Sequence, residues 1–225
     1  MRFSTCLALV FAGGCAASPA THSAPMAHRA AEKVGVPGRC EDPVPAGGNA
    51  EGCYWNASVE LGPHGTELFW QIDRYPDVSS ALAAETAQSV VVAFGGRVFL
   101  ETVTGSASWS GHGEHLATVG PLVVPADVEL TARFMQATSS IDEATLPHVH
   151  PGPEGFFQVD GSVCVETSAG VHRVAPGTGA VLPAGIFMQL HATSEGVRRS
   201  LVLVIHPTGQ AWINRHTPWT PKGGC

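Results

Sequence analysis

The chain has 225 residues, 44% of them hydrophobic and only 14% charged, which fits a buried, globular protein of one good-sized domain or one domain with an extension. Its net charge of −7 offers no basic surface for nucleic acid. Glycine (26) and proline (17) are abundant, which favours many turns and short strands over long helices.

The N-terminus reads as a targeting segment. Arg2 is a short positive region, Cys6 to Ala12 an apolar core, and Ala12-Gly13-Gly14-Cys15 a run of small residues ending in cysteine. The pattern resembles a bacterial lipoprotein signal over residues 1–15, with Cys15 lipidated after cleavage. Ala12 stands where such signals usually carry leucine, and cleavage as an ordinary secretory signal near Ala17 or Ala20 is the alternative. Either way the chain is expected to be exported: anchored in the cell envelope, or periplasmic or secreted. Membrane contact is then expected only through the lipid anchor, because no other apolar run is long enough to span a bilayer. Residues 16–38 lack periodicity and read as a flexible tether, with His22 and His28 as solvated residues.

From 39 to 120 the texture is β-α-β-like. Glu67–Ile72 reads as a strand, Asp77 as a helix N-cap, and Val78–Gln88 as helix-favouring. Ser89–Phe94 and Arg97–Val103, broken by Gly95-Gly96, read as a hairpin or bent strand. His112, Glu114 and His115 lie in a glycine-rich loop with the wrong period for one strand face, so a loop is favoured over a metal cluster. Trp70 is placed to pack this extension against the C-terminal half of the chain, and its strands could add to a neighbour's sheet, which leaves homo-oligomerisation open.

From 121 to 225 short strands recur, divided by turns. They are Val128–Met135, a strand at His148 and His150, Gly155–Val159, Ser162–Thr167, Val171–Val174, Ala180–Leu182, Phe187–Ala192 and Ser200–Ile205. Asp160-Gly161 reads as a tight hairpin turn between two of them. The pattern predicts a mainly β sandwich or barrel. Phe134, Phe156 and Phe157 are expected to line core or pocket, with alternation sending one of the last two outward. Arg198-Arg199 reads as a solvated turn more readily than a pocket element, and Trp212 and Trp219 as fasteners of the tail.

Outside the signal segment the cysteines are Cys40, Cys53, Cys164 and Cys225, an even number that suits disulfides in an exported protein. Of three pairings we favour Cys40–Cys53, closing a Pro/Gly/Asn loop, with Cys164–Cys225, tying down the tail. The alternative keeps Cys164 as a buried thiol.

The chemistry concentrates in Pro147-His148-Val149-His150-Pro151-Gly152-Pro153-Glu154. Residues i and i+2 of a strand share a face, so His148 and His150 present two imidazoles together. The Pro-Gly-Pro break turns the chain and returns Glu154 beside them. Two neutral nitrogens and a carboxylate with open positions suit a divalent transition metal. The spacing His-x-His, three residues, Glu, six residues, Gly is met by His148, His150, Glu154 and Gly161, and resembles the first motif of the cupin superfamily. The family's earlier glycine is Asp142 here; its second motif begins at Pro183-Ala184-Gly185 but has Met188 in place of histidine. The likeness extends to exported single-cupin bacterial proteins through His150–Glu154, Cys164–Thr167, Phe187–Leu190, Arg198-Arg199, Leu201–His206 and Pro221–Cys225.

The resemblance implies a cupin double-stranded β-helix (jelly-roll barrel) with a mononuclear metal site. His148, His150 and Glu154 then form a two-His, one-carboxylate set suited to Fe(II) and tolerant of Mn, Ni, Co or Zn, with copper tolerating a thioether. Met188 is more readily a pocket wall than a ligand. His191, three residues on, should face away, and His206 is more readily a satisfied histidine near a strand end than a ligand. Glu154 could alternatively shuttle protons. The expected function is an oxygenase-type oxidoreductase on a small organic substrate, or else a non-catalytic module binding a small ligand or metal. No Gly-x-Ser-x-Gly elbow, P-loop or dinucleotide fingerprint occurs, which sets those classes aside.

Overall fold

The structure, a computed structural model, describes residues 40–46, 50–141, 143–193 and 196–225. The signal-like run with Cys15, the tether with His22 and His28, and Asp142 lie outside the described residues.

Thirteen strands and one short helix are arranged in three antiparallel sheets among the described residues. The strands are β1 (Gly52–Leu61), β2 (Glu67–Tyr75), β3 (Ser89–Phe94), β4 (Arg97–Thr104), β5 (Glu114–Val123), β6 (Leu130–Ser139) and β7 (His148–Val149). They continue as β8 (Glu154–Asp160), β9 (Val163–Thr167), β10 (Gly170–Val174), β11 (Gly179–Leu182), β12 (Phe187–Ala192) and β13 (Arg198–Pro207). The first sheet has the order β1-β6-β13-β8-β11, the second β10-β9-β12-β7 and the third β3-β4-β2-β5. From β6 onward the chain passes back and forth between the first two sheets, so that β6 lies beside β13 while β7 lies beside β12. That interleaving is a double-stranded β-helix.

The alternation along each strand sorts its side chains. On β13, Val202 and Val204 enter the cluster between the first two sheets, with Met135, Phe156, Val165, Met188 and Leu190. Leu201, Leu203 and Ile205 enter a second cluster shared with Trp70, Phe99, Val103 and Leu122 of the third sheet. The first sheet is therefore a middle layer, buried on both faces, which is why β13 reads as an unbroken apolar run. Phe156 and Phe157 alternate as expected, but the outward one, Phe157, is covered by the third sheet.

Three expectations change. The helix α1 spans only Val78–Ala83; Asp77 caps it by accepting the Ser80 N–H at 2.8 Å, and the apolar, β-branched run from Ser89 takes up the chain soon after as β3. The division at 120/121 does not separate an extension from a barrel. It cuts through β5, and β1 pairs with β6 along its length in the first sheet. Asp160-Gly161 is not a hairpin turn: Gly161 has the positive φ (66°) that its turn needs, but β8 and β9 lie in different sheets. A turn-forming pair fixes a change of direction, not whether the chain returns within its sheet or crosses to the facing one. Gly95 and Gly96, with φ of 59° and 75°, do close a hairpin, β3–β4.

His112, Glu114 and His115 form no metal cluster. Glu114 opens β5 and receives the Arg74 Nε–H (2.8 Å), while His115 Nδ1 bonds the buried Asp73 (2.8 Å), which also takes the Trp109 indole N–H (2.7 Å). Disulfides join Cys40 to Cys53 and Cys164 to Cys225.

Candidate metal centre

β7 is only two residues long because Pro147 and Pro151 flank it and cannot donate to a ladder. It hangs on β12 through Phe187–Val149 and Met188–His148, and on the tail through paired backbone bonds between Val149 and Asn214. Pro151-Gly152-Pro153 then carries the chain from the second sheet to β8 in the first. Gly152 passes so close beneath β13 that a Cβ there would lie 1.7 Å from the Ile205 carbonyl oxygen. Only glycine allows that approach, and it sets Glu154 facing the two histidines.

His148, His150 and Glu154 are buried, and each presents one ligand atom within 4.8 Å of the others. His148 Nδ1–H donates to the Leu146 carbonyl and His150 Nδ1–H to the Trp212 carbonyl, both at 2.7 Å. Carbonyls only accept, so each ring carries its proton on Nδ1 and keeps a lone pair on Nε2. The Trp212 ring stacks on His150 with centroids 5.4 Å apart. His150 Nε2 and Glu154 Oε2 face each other at 3.4 Å, and both are buried without a hydrogen-bond partner.

Burial dominates the electrostatics. It lowers His148, and it takes His150 down to about 3 with help from the His148 charge. It lifts Glu154 to about 8 against the opposing charge of Arg198. Near neutrality the imidazoles are uncharged and the carboxyl keeps its proton, so the short His150–Glu154 approach is not an ion pair. At 3.4 Å the Glu154 proton can make at most a long, weak bond to His150 Nε2, and in an apolar interior that leaves both atoms under-satisfied unless a third body serves both. A divalent cation fits that place: it takes imidazole lone pairs directly and ionises the carboxyl by displacing its proton.

None of the other candidates joins the convergence, although His206 lies near enough for its charge to lower His150 further. Met188 sits opposite His148 in the β12–β7 register and is packed in the inner apolar cluster. His191 lies on the outer face of the second sheet, paired with Gln189 Oε1 at 3.0 Å. His206 shares a β13 face with Val202 and Val204, and its Nδ1–H donates to the Pro207 carbonyl at 3.0 Å. A second convergence, Glu166, His191 and Cys225, uses a sulfur already bound in a disulfide and a carboxylate that accepts the backbone N–H groups of Lys222 and Gly224. It fastens the tail.

His148, His150 and Glu154 line a cavity of about 170 Å³ together with Met135, Phe156, Leu190, Val202 and Trp212. Arg198, expected to be solvated, is 2% exposed and lines it too. Its Nε–H donates to Ser200 Oγ (3.0 Å) and an Nη1–H to Ser139 Oγ (3.2 Å). The readable signal was its parity: residues 198, 200, 202 and 204 share one face of β13. Trp212 and Arg215, in the tail, carried no such signal.

No protein-family profile and no curated protein matches the chain. Among solved structures it is similar to an uncharacterised conserved protein with a double-stranded β-helix domain from Klebsiella pneumoniae (14% identity, 42% of this chain and 75% of that one, TM-score 0.33). It is also similar to a cupin domain from Bordetella pertussis (15%, 32% and 78%, TM-score 0.29). A third is a putative sugar phosphate isomerase from Acidithiobacillus ferrooxidans, of which the chain spans about half (15%, 38% and 55%, TM-score 0.31). The double-stranded β-helix is read from the strand order, and the His148–Gly161 spacing that resembles the cupin motif lies within it.

Proposed function

We propose that the barrel holds one divalent transition metal ion on His148, His150 and Glu154, and that the protein is an exported enzyme acting there on a small organic molecule, as an oxygenase-type oxidoreductase. The observation that carries the reading is the pair of buried, unpartnered atoms, His150 Nε2 and Glu154 Oε2, at 3.4 Å, with both imidazole Nδ1 protons already committed to carbonyls. When bound, an ion in such a set supplies Lewis acidity, or redox chemistry if it is iron, with positions left for other ligands. The protein contributes the rest. The Leu146 and Trp212 carbonyls hold the imidazoles in one tautomer, and Trp212 closes one side of the cavity against water. Glu154, ionised once an ion is seated, would be the residue placed to take a proton from a bound molecule and hand it back to the product. Two disulfides suit an oxidising compartment and support the export reading.

The test is metal content of the purified protein, followed by oxygen consumption over a panel of phenols, diketones and thiols. Stoichiometric iron, with turnover that falls at least a hundredfold in His148→Ala, is the expected result. Wild-type protein that takes up no divalent ion would sink the reading. Stoichiometric metal without turnover would instead favour a non-catalytic metal- or ligand-binding module, a role the small, mostly apolar cavity also suits.

A further inference from the structure

We propose that the end of the cavity remote from the histidines is an anion site, in which Arg198 takes the carboxylate of a small and otherwise apolar organic acid. The proposal rests on the reading of this cavity as the ligand site and deepens it by naming the ligand class. Three observations carry it.

The first is position. In the first sheet Val204 pairs with Glu154, whereas Arg198, six residues away on β13, pairs with Ser139. At about 3.3 Å per residue the two backbone positions are roughly 20 Å apart, and both side chains line one cavity. The cavity thus has a ligating end at His148, His150 and Glu154 and a cationic end at Arg198. Between them the wall is apolar: Ala137, Phe156, Leu190 and Val202.

The second is the state of Arg198. Fully desolvated cations are rare and costly unless they are paired. The hydrogen bonds Arg198 makes to Ser200 and Ser139 are to neutral hydroxyls, which orient the guanidinium without compensating its charge. They use two of the five N–H donors of a fork whose geometry matches a carboxylate.

The third is charge balance. The carboxyl groups in the field of Arg198 are Glu154 and Glu143. Glu143 accepts the Ser140 N–H at 3.0 Å and is not part of the cavity wall, and Glu154 serves the other end. With a divalent ion seated, the cavity is net positive even with both carboxylates ionised. A monoanion completes it; a neutral or cationic ligand does not.

The experiment is calorimetric titration of the full chain without its signal segment, with Mn(II) loaded and with metal removed, using straight-chain carboxylates from acetate to octanoate, each against its amide. At least one acid should bind tenfold or more tightly than its amide. Arg198→Met should abolish that preference and Arg198→Lys should keep part of it, with Mn(II) still bound one to one in both. If no carboxylate outbinds its amide in wild-type protein, or if the preference survives Arg198→Met, the proposal falls; the wild-type arm decides even if the methionine variant does not fold. An Arg198-dependent carboxylate preference in a protein that binds no Mn(II) would overturn the metal reading alone. Mn(II) binding with no carboxylate preference would overturn the anion site alone.

Discussion

Glu154 and Glu101 are both buried carboxyls, and only the surroundings tell their roles apart. Glu154 faces two imidazole lone pairs in a cavity; Glu101, on β4, shares its strand face with Phe99 and Val103, in the apolar layer between the third and first sheets, where the Trp70 indole N–H only partly offsets its burial. Glu154, held at about 8, must lose its proton to bind an ion, whereas His150 at about 3 is already free of its own. Apparent metal affinity should therefore rise by up to tenfold per pH unit from pH 6, flatten above about 8, and be accompanied by release of close to one proton at pH 6.5. Calorimetry in buffers of different ionisation enthalpy reads this directly, and in Glu154→Gln both the slope and the proton release should vanish. Burial pushes Glu101 well above the ordinary carboxyl range. Its folded form thus binds a proton more tightly than its unfolded form. The native state accordingly keeps its full stability below the unfolded carboxyl value of about 4.3 and loses up to about 1.4 kcal/mol per pH unit above it, until the folded value is reached. Glu101→Gln should remove that loss, so urea melts of the two proteins should differ most at pH 8 and little at pH 4.5.

At the scale of elements, the Pro151-Gly152-Pro153 crossing is the piece that turns a sequence motif into a site. Gly152→Ala would drive a methyl group into the Ile205 carbonyl, a backbone atom of a strand buried on both faces that cannot yield. We expect a loss of about 1–3 kcal/mol in thermal unfolding, with metal affinity falling at least tenfold because β7 and β8 are pushed apart; Gly177→Ala, in a turn with open space around it, should leave metal affinity unchanged although its φ of 74° costs some stability. This crossing also shows what could be read from sequence. His148, Val149 and His150 with Glu154 were legible because their spacing encodes a shared face and a return. The eight barrel strands were legible as short β-branched runs between turns. The sheet to which each strand belongs was not, as Asp160-Gly161 shows, because turn chemistry is local whereas sheet membership depends on partners up to 86 residues away, as in the β1–β6 pairing of Gly52 with Thr138. Arg198 escapes a sequence reading for a similar reason. Two adjacent arginines look solvated, but alternation buries the first and leaves Arg199 to reach Asp160 at 3.2 Å.

For the whole molecule, stability has to come from what holds a barrel whose histidine end is built from a two-residue strand and a tail without regular structure. The tail leaves β13, brings Trp212 to His150, pairs Asn214 with Val149 as an extra edge on the second sheet, and ends on the outer face of that sheet at the Cys164–Cys225 disulfide. Two fasteners therefore act in series, and they have different consequences. The disulfide closes a 61-residue separation, for which chain-entropy reasoning gives about 4 kcal/mol of stabilisation. Glu166 reinforces that end by accepting the Lys222 and Gly224 N–H groups. The Trp212 carbonyl that orients His150 is only two residues from Asn214, whose backbone pairs with Val149 at 2.9 and 3.0 Å and does not depend on the C-terminus. The variant Cys164→Ser/Cys225→Ser should consequently lose up to about 4 kcal/mol in denaturant unfolding while its metal affinity in native buffer stays within threefold of wild type. Trp212→Gly should do the reverse. It removes the ring that stacks on His150 and loosens the carbonyl that fixes its tautomer, so affinity should fall 10–100-fold, the range typical for loss of an outer-shell partner. If the disulfide variant instead lost metal binding in step with stability, the tail would be acting as one unit, and the Asn214–Val149 pair could not be what positions the histidine.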